Sequence, residues 1–163
     1  MRFFKKNHHL TAVCNGRCAP LSDIPDEVFA SGMLGVGVAI HPTGDHFCCP
    51  VGGTVQSVAE SQHAYTILSE DGPELLIHIG VDTVQLRGEG FNPLVLPGQR
   101  VRAGDPLADV DLQKITDRGL STVTAVLITN HEDIEILEYG YGQVAGGKTP
   151  ILTYRTARKD NHV

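Results

Sequence analysis

The chain has 163 residues, of which 41% are hydrophobic and 20% charged, with a formal net charge of -6. A chain of this length buries about two thirds of its unfolded surface, enough for one core without staples, and its apolar content excludes disorder throughout. The acidic balance excludes a nucleic-acid binder, which needs Lys and Arg gathered on one face, and suits basic protein partners.

No apolar run reaches the length of a membrane span, so no membrane insertion is expected. The start, Met1 to His9, carries charge but no hydrophobic stretch after it, which is not the form of a secretory signal. A cytoplasmic location follows as the expectation. Residues 1–10 and 157–163 read as tails around one domain at 11–156.

Short runs of Val, Ile, Leu and Thr, separated by turn residues, dominate the chain in order. They are 37–40 (G-V-A-I), 53–58 (G-T-V-Q-S-V), 65–68 (Y-T-I-L), 75–78 (L-L-I-H) and 123–128 (V-T-A-V-L-I). Many short strands with Gly and Pro between them predict an all-β sandwich or barrel. Helical signals are confined to two places. Residues 23–30 offer one turn with Pro and acids near its start. Residues 111–119 offer a short helix stopped by Gly119.

Shifting the chain on itself by 37 positions sets Gly16 on Gly53, Gly35 on Gly72, Ile40 on Ile77, His41 on His78 and Asp45 on Asp82. The pattern predicts a duplicated β unit whose strand ends in His. Cys14, Cys18, Cys48 and Cys49 lack the paired C-x2-C spacing of a zinc site. In a reducing compartment they read as small buried or edge residues.

Of eight histidines, His8, His9 and His162 fall in polar termini and His131 in a polar turn. His41 and His46 flank Pro42 to Asp45, which reads as a hairpin loop. His78 differs, because it closes the apolar run Leu75-Leu76-Ile77 and its polar edge needs a partner. The turn chemistry of Ser69 to Pro73 predicts a hairpin that brings His63 beside His78. Two neighbouring imidazoles suit zinc binding, with further ligands from elsewhere. They equally suit phosphoryl transfer, in which one ring nitrogen is the nucleophile and the other ring helps hold the phosphoryl oxygens.

Several segments in series resemble the glucose-type enzyme IIA family of the bacterial sugar phosphotransferase system. They are P-L-S-D-I-P-D-E-V-F-A at 20–30, V-A-I-H-P-T-G at 38–44, P-V-G-G-T-V at 50–55 and E-L-L-I-H-I-G-V-D-T-V at 74–84. G-E-G-F at 88–91, G-Q-R-V-R-A-G-D at 98–105 and T-A-V-L-I-T-N at 124–130 continue the series. The likeness spans about residues 12 to 155. It implies an antiparallel β-sandwich of the barrel-sandwich hybrid kind with a duplicated motif.

The same resemblance implies a phosphotransferase component with His78 as phosphoryl acceptor. The donor would be the histidine-containing phosphocarrier protein and the recipient a cysteine on the IIB domain of a membrane sugar permease. It implies that His63 steadies the phosphoryl group, that the Ser61 hydroxyl stands where the family usually has Thr, and that Asp82 brings charge near the site. Val38, Ile40 and Ile79 are the residues assigned to an apolar docking surface around the histidines. Gly35-Val36-Gly37 departs from the family's usual G-D-G, placing Val where an acid near the site is customary. No cofactor is required, with zinc at His63 and His78 a candidate in a partner complex.

A regulatory module that docks on metabolic enzymes or transporters by phosphorylation state is the alternative function. A zinc peptidase of related fold needs an H-x-H pair, which Ile79-Gly80 after His78 does not supply. A biotinyl or lipoyl carrier needs an exposed Lys at a hairpin tip, often between methionines, and Met1 and Met33 are not placed for it.

Overall fold

In the computed structural model, which describes residues 6–156, fourteen strands and two short α-helices follow one another. The strands are β1 His8–Thr11, β2 Gly16–Pro20, β3 Val36–Pro42, β4 His46–Cys48, β5 Gly53–Val58, β6 Ala64–Ser69 and β7 Glu74–His78. Then come β8 Phe91–Pro93, β9 Arg100–Val101, β10 Pro106–Val110, β11 Thr124–Ile128, β12 Ile134–Tyr139, β13 Gly142–Val144 and β14 Pro150–Thr156. The helices are α1 Glu27–Ala30 and α2 Leu112–Asp117. Each begins on an aspartate whose carboxylate accepts a backbone N–H, Asp26 from Val28 and Asp111 from Lys114.

An eight-stranded antiparallel sheet runs in the order β13-β2-β3-β11-β7-β6-β5-β9. Two three-stranded sheets, β1-β14-β12 and β4-β10-β8, pack across it. Strand alternation decides what goes where. Val38 and Ile40 of β3, Leu75 and Ile77 of β7, and Val126 and Ile128 of β11 point between the sheets. There they meet Leu10, Ile151 and Tyr154 of one small sheet and Phe47 and Leu107 of the other.

The intervening residues of the same central strands face the opposite way. Ala39, Ala125 and Leu127 form a smaller cluster with Ile24, Phe29 and Val81, under the segment that carries α1. Strand β11 is consequently buried on both faces along its whole length. The repeat seen in the sequence has a structural counterpart, since β3 and β7 are the two neighbours of β11, on opposite sides of it.

Two expectations fail. Residues 43–45 do not close a hairpin, because β3 pairs with β2 and β11 while β4 pairs with β10 in another sheet. Turn residues signal a reversal of the chain, but not which edge the next strand will meet. The expected N-terminal tail also ends early: β1 takes in His8 and His9 and pairs with β14. His8 stacks on Tyr154 and pairs with Asp71 at 3.1 Å, so it is not a solvated terminal residue. The segment 157–163, with His162, lies outside the described residues. The four thiols are free, with Cys14, Cys18 and Cys49 buried.

Candidate active site

Strand β7 lies between β6 and β11, with His78 opposite Ala64 on one side and Ala125 on the other. Leu75 and Ile77 are committed to the core, so alternation turns His78 to the outer face beside the smaller cluster. Immediately after it the chain leaves the sheet. Gly80 takes a positive φ of 77°, and a side chain there would run into Thr83 Cγ2 and come within 2.9 Å of the Ser121 carbonyl oxygen. The Thr83 hydroxyl donates to the Ile79 carbonyl at 2.6 Å and tightens this turn.

That turn aims a carbonyl back at the imidazole. His78 Nδ1 lies 2.8 Å from the Gly80 oxygen, and since a carbonyl only accepts, Nδ1 carries the proton. Nε2 is thereby left with its lone pair. The His63 ring stands edge-on to His78, with centroids 4.9 Å apart and planes at 83°. His63 reaches this position because the turn before β6 passes Gln62 in the left-handed region, while its carbonyl accepts the Ile79 N–H at 2.8 Å. The hairpin expected from residues 69–73 forms as β6–β7 and sets the two imidazoles together.

Both rings are held neutral. Burial lowers the His78 pKa from its ordinary 6.5, opposed first by the Gly80 carbonyl; His63 lowers it further, whereas Asp26 and Asp82 raise it. Burial likewise lowers His63. The Ser61 backbone pulls His63 the other way, although the buried Nδ1 of His63 makes no formed hydrogen bond. Such a site presents an unprotonated nitrogen nucleophile at neutral pH.

Ser61 sits half-buried in the same turn as His63, and Asp82 is exposed in the left-handed region just past the Gly80 turn. Two neighbours were not visible in the sequence. The Phe29 ring packs 4.8 Å from the His78 ring, and the Asp26 carboxylate that caps α1 bears on its charge. The D-E-V-F pattern announces a helix start, but not that this helix lies over β7.

The docking assignment is corrected. Alternation sends Val38 and Ile40 into the space between the sheets, and Ile79, just past β7, joins the same core; all three are fully buried, so they cannot meet a partner. Exposed apolar side chains on segments flanking His78 are instead Val28 at 46%, Met33 at 78% and Val84 at 52%. Position 36 also differs from expectation. Val36 opens β3 opposite Ile128, three ladder positions from Ala39 in the row of His78, and packs on the core between the sheets. The carboxylates that act on His78 are those of Asp26 and Asp82.

Fold and site together define a β-sandwich protein that presents an oriented histidine, its pKa lowered by burial, beside a second histidine. Residues 8–134 match the family described as phosphoenolpyruvate-dependent sugar phosphotransferase system, EIIA 1, and the chain belongs to that family. It is 38% identical over 151 residues to the PTS system glucose-specific EIIA component of Buchnera aphidicola subsp. Acyrthosiphon pisum, covering 93% of this chain and 94% of that one. It is 47% identical over 121 residues to the PTS system glucose-specific EIIBCA component of Corynebacterium glutamicum, covering 74% of this chain and 18% of that longer protein. Among solved structures, glucose permease IIA from Mycoplasma capricolum superposes with a TM-score of 0.88 at 36% identity, covering 94% of this chain and 99% of that one.

Proposed function

We propose that this chain is a phosphocarrier of sugar uptake, with His78 as the residue that carries the phosphoryl group. The observation that carries the reading is the Nδ1–H to Gly80 hydrogen bond, which leaves Nε2 unprotonated beside His63. The Nε2 lone pair attacks the phosphorus of a phosphohistidine on the histidine-containing phosphocarrier protein. The donor's N–P bond breaks with its electron pair returning to the donor ring, and a new N–P bond forms on Nε2. The proton stays on Nδ1 throughout, donated to the Gly80 carbonyl, whose oxygen stabilises the positive charge on the phosphorylated ring.

Transfer onward runs the same way. A thiolate on the IIB domain attacks phosphorus, the Nε2–P bond breaks, and His78 returns to its neutral form. Few residues are needed, since such transfer is chiefly positioning and electrostatic stabilisation. His63 and the Ser61 hydroxyl steady the phosphoryl oxygens, and Asp82 adds its charge at the edge of the site. The fused relative that joins EIIA with B and C parts supports a IIB partner in a membrane permease.

The reaction needs no cofactor. Among the described residues no group of three or more His, Cys, Asp and Glu is arranged to hold a metal ion, so zinc at His63 and His78 would take its remaining ligands from a partner. No helix among the described residues is long and apolar enough to cross a membrane. Partners of this kind support a cytoplasmic reaction as part of this proposal.

Incubation with phosphoenolpyruvate, enzyme I and the histidine phosphocarrier, read by intact mass, tests the reading. One acid-labile phosphoryl group is expected on the wild type, absent from His78→Ala and partly retained on His63→Ala. A folded wild type that stays unlabelled would sink it.

A further inference from the structure

The ladder neighbours of His78 are Ala64 and Ala125, both too small to cover an imidazole. Cover comes instead from α1, whose Phe29 ring lies 4.8 Å from the His78 ring at a tilt of 54°. Phe29 is only 9% exposed and is seated on Ile24, Ala39, Val81, Ala125 and Leu127, so the ring has little freedom to swing away. Three chain segments thus bear on one imidazole: the Gly80 turn in the ring plane, His63 edge-on, and Phe29 packed against it at a tilt.

Resting on the phosphocarrier reading above, we propose that Phe29 is a positioning residue for phosphoryl transfer, fixing the plane of the His78 ring and screening it from water. One hydrogen bond at Nδ1 leaves the imidazole free to rock about that bond. Rocking would carry Nε2 off the line of attack, and a misplacement of this sort is costly in an in-line reaction. The Phe29 ring packed against the imidazole restricts that freedom. It also keeps water from the phosphorylated ring while no partner is docked.

The charged and titratable groups facing His78 are His63 from the turn before β6, Asp82 from the turn after β7, and Asp26 from the cap of α1. Burial outweighs the two carboxylates and keeps the ring neutral. Removing the Phe29 ring weakens that burial while leaving all three groups in place.

The test follows Phe29→Ala and Phe29→Leu by three readouts: NMR titration of His78, partner-free hydrolysis of the phosphorylated protein, and the split between kcat and KM for the phosphoryl donor. In Phe29→Ala, His78 is expected to titrate at higher pH than in the wild type. Phosphohistidine hydrolysis should quicken and kcat fall, each by roughly two- to tenfold, the worth of one aromatic contact. Phe29→Leu keeps apolar cover without a flat wall. It should titrate like the wild type yet show a kcat roughly two- to tenfold lower.

A folded Phe29→Ala protein with wild-type titration and hydrolysis would overturn the proposal, as would a change confined to KM, which marks a docking residue. Should Phe29→Ala fail to fold, a wild-type kcat in Phe29→Leu overturns it equally. A wild type that accepts no phosphoryl group defeats the carrier reading and this role with it. A phosphorylated wild type with unaltered Phe29 variants defeats this role alone.

Discussion

His78 and His63 are imidazoles kept neutral by burial, and that makes them acid-sensitive parts of the fold. Their folded-state pKa values lie below the ordinary 6.5, so at mildly acid pH the unfolded chain binds more protons than the folded one. Stability is therefore full above the unfolded-state value and falls as pH drops through it toward the folded-state values. Urea midpoints compared at about pH 7.5 and about pH 5.5 should fall at the lower pH, and the double variant His63→Gln, His78→Gln should shrink that difference. His46 works in the opposite sense, since Asp109 at 2.7 Å raises its pKa, but it is fully exposed and strongly screened. Phosphoryl acceptance should decline at low pH too, because a protonated Nε2 has no lone pair to give.

The Gly80 turn and α1 are short elements that decide whether His78 can work. Gly80→Ala puts a β-carbon into Thr83 and toward the Ser121 carbonyl, at a φ that suits glycine. A cost of about 1–3 kcal/mol in thermal or urea unfolding is expected. Phosphoryl acceptance should fall by more than stability alone explains, because the displaced carbonyl is the one that fixes the Nδ1 proton. Equal losses in both measurements would mean that the turn serves only the fold. The start of α1 was legible in the sequence through Asp26, as was the end of β7 through the switch from apolar residues to Gly80. The contact between Phe29 and His78 was not, because residues 29 and 78 belong to segments far apart in the chain that meet through tertiary packing.

At the scale of the molecule, the site depends on a core that is shared by three sheets. Ile77 is fully buried next to His78 and faces Val126 across the ladder. Ile77→Val should cost about 0.5–1.5 kcal/mol and Ile77→Ala about 2–5 kcal/mol in urea unfolding. The latter is a large share of the total stability of an ordinary domain. Costs as small as those of an exposed substitution would show that β7 is not built into the core as described.

Strands β3, β5, β6, β7 and β11, both short helices, the β6–β7 hairpin and the pairing of His63 with His78 were written in local sequence, in alternation, turn residues and a motif ending in His. Those signals act between neighbours in the chain, or between strands joined by one tight turn. The placement of β4 in a different sheet from β3, the burial of Val38, Ile40 and Ile79, and the cover of His78 by Phe29 came only with the tertiary structure. Alternation tells that two sets of side chains face opposite ways. Which set meets the core and which meets a partner depends on what packs against each face, and that is settled by contacts between segments far apart in the chain.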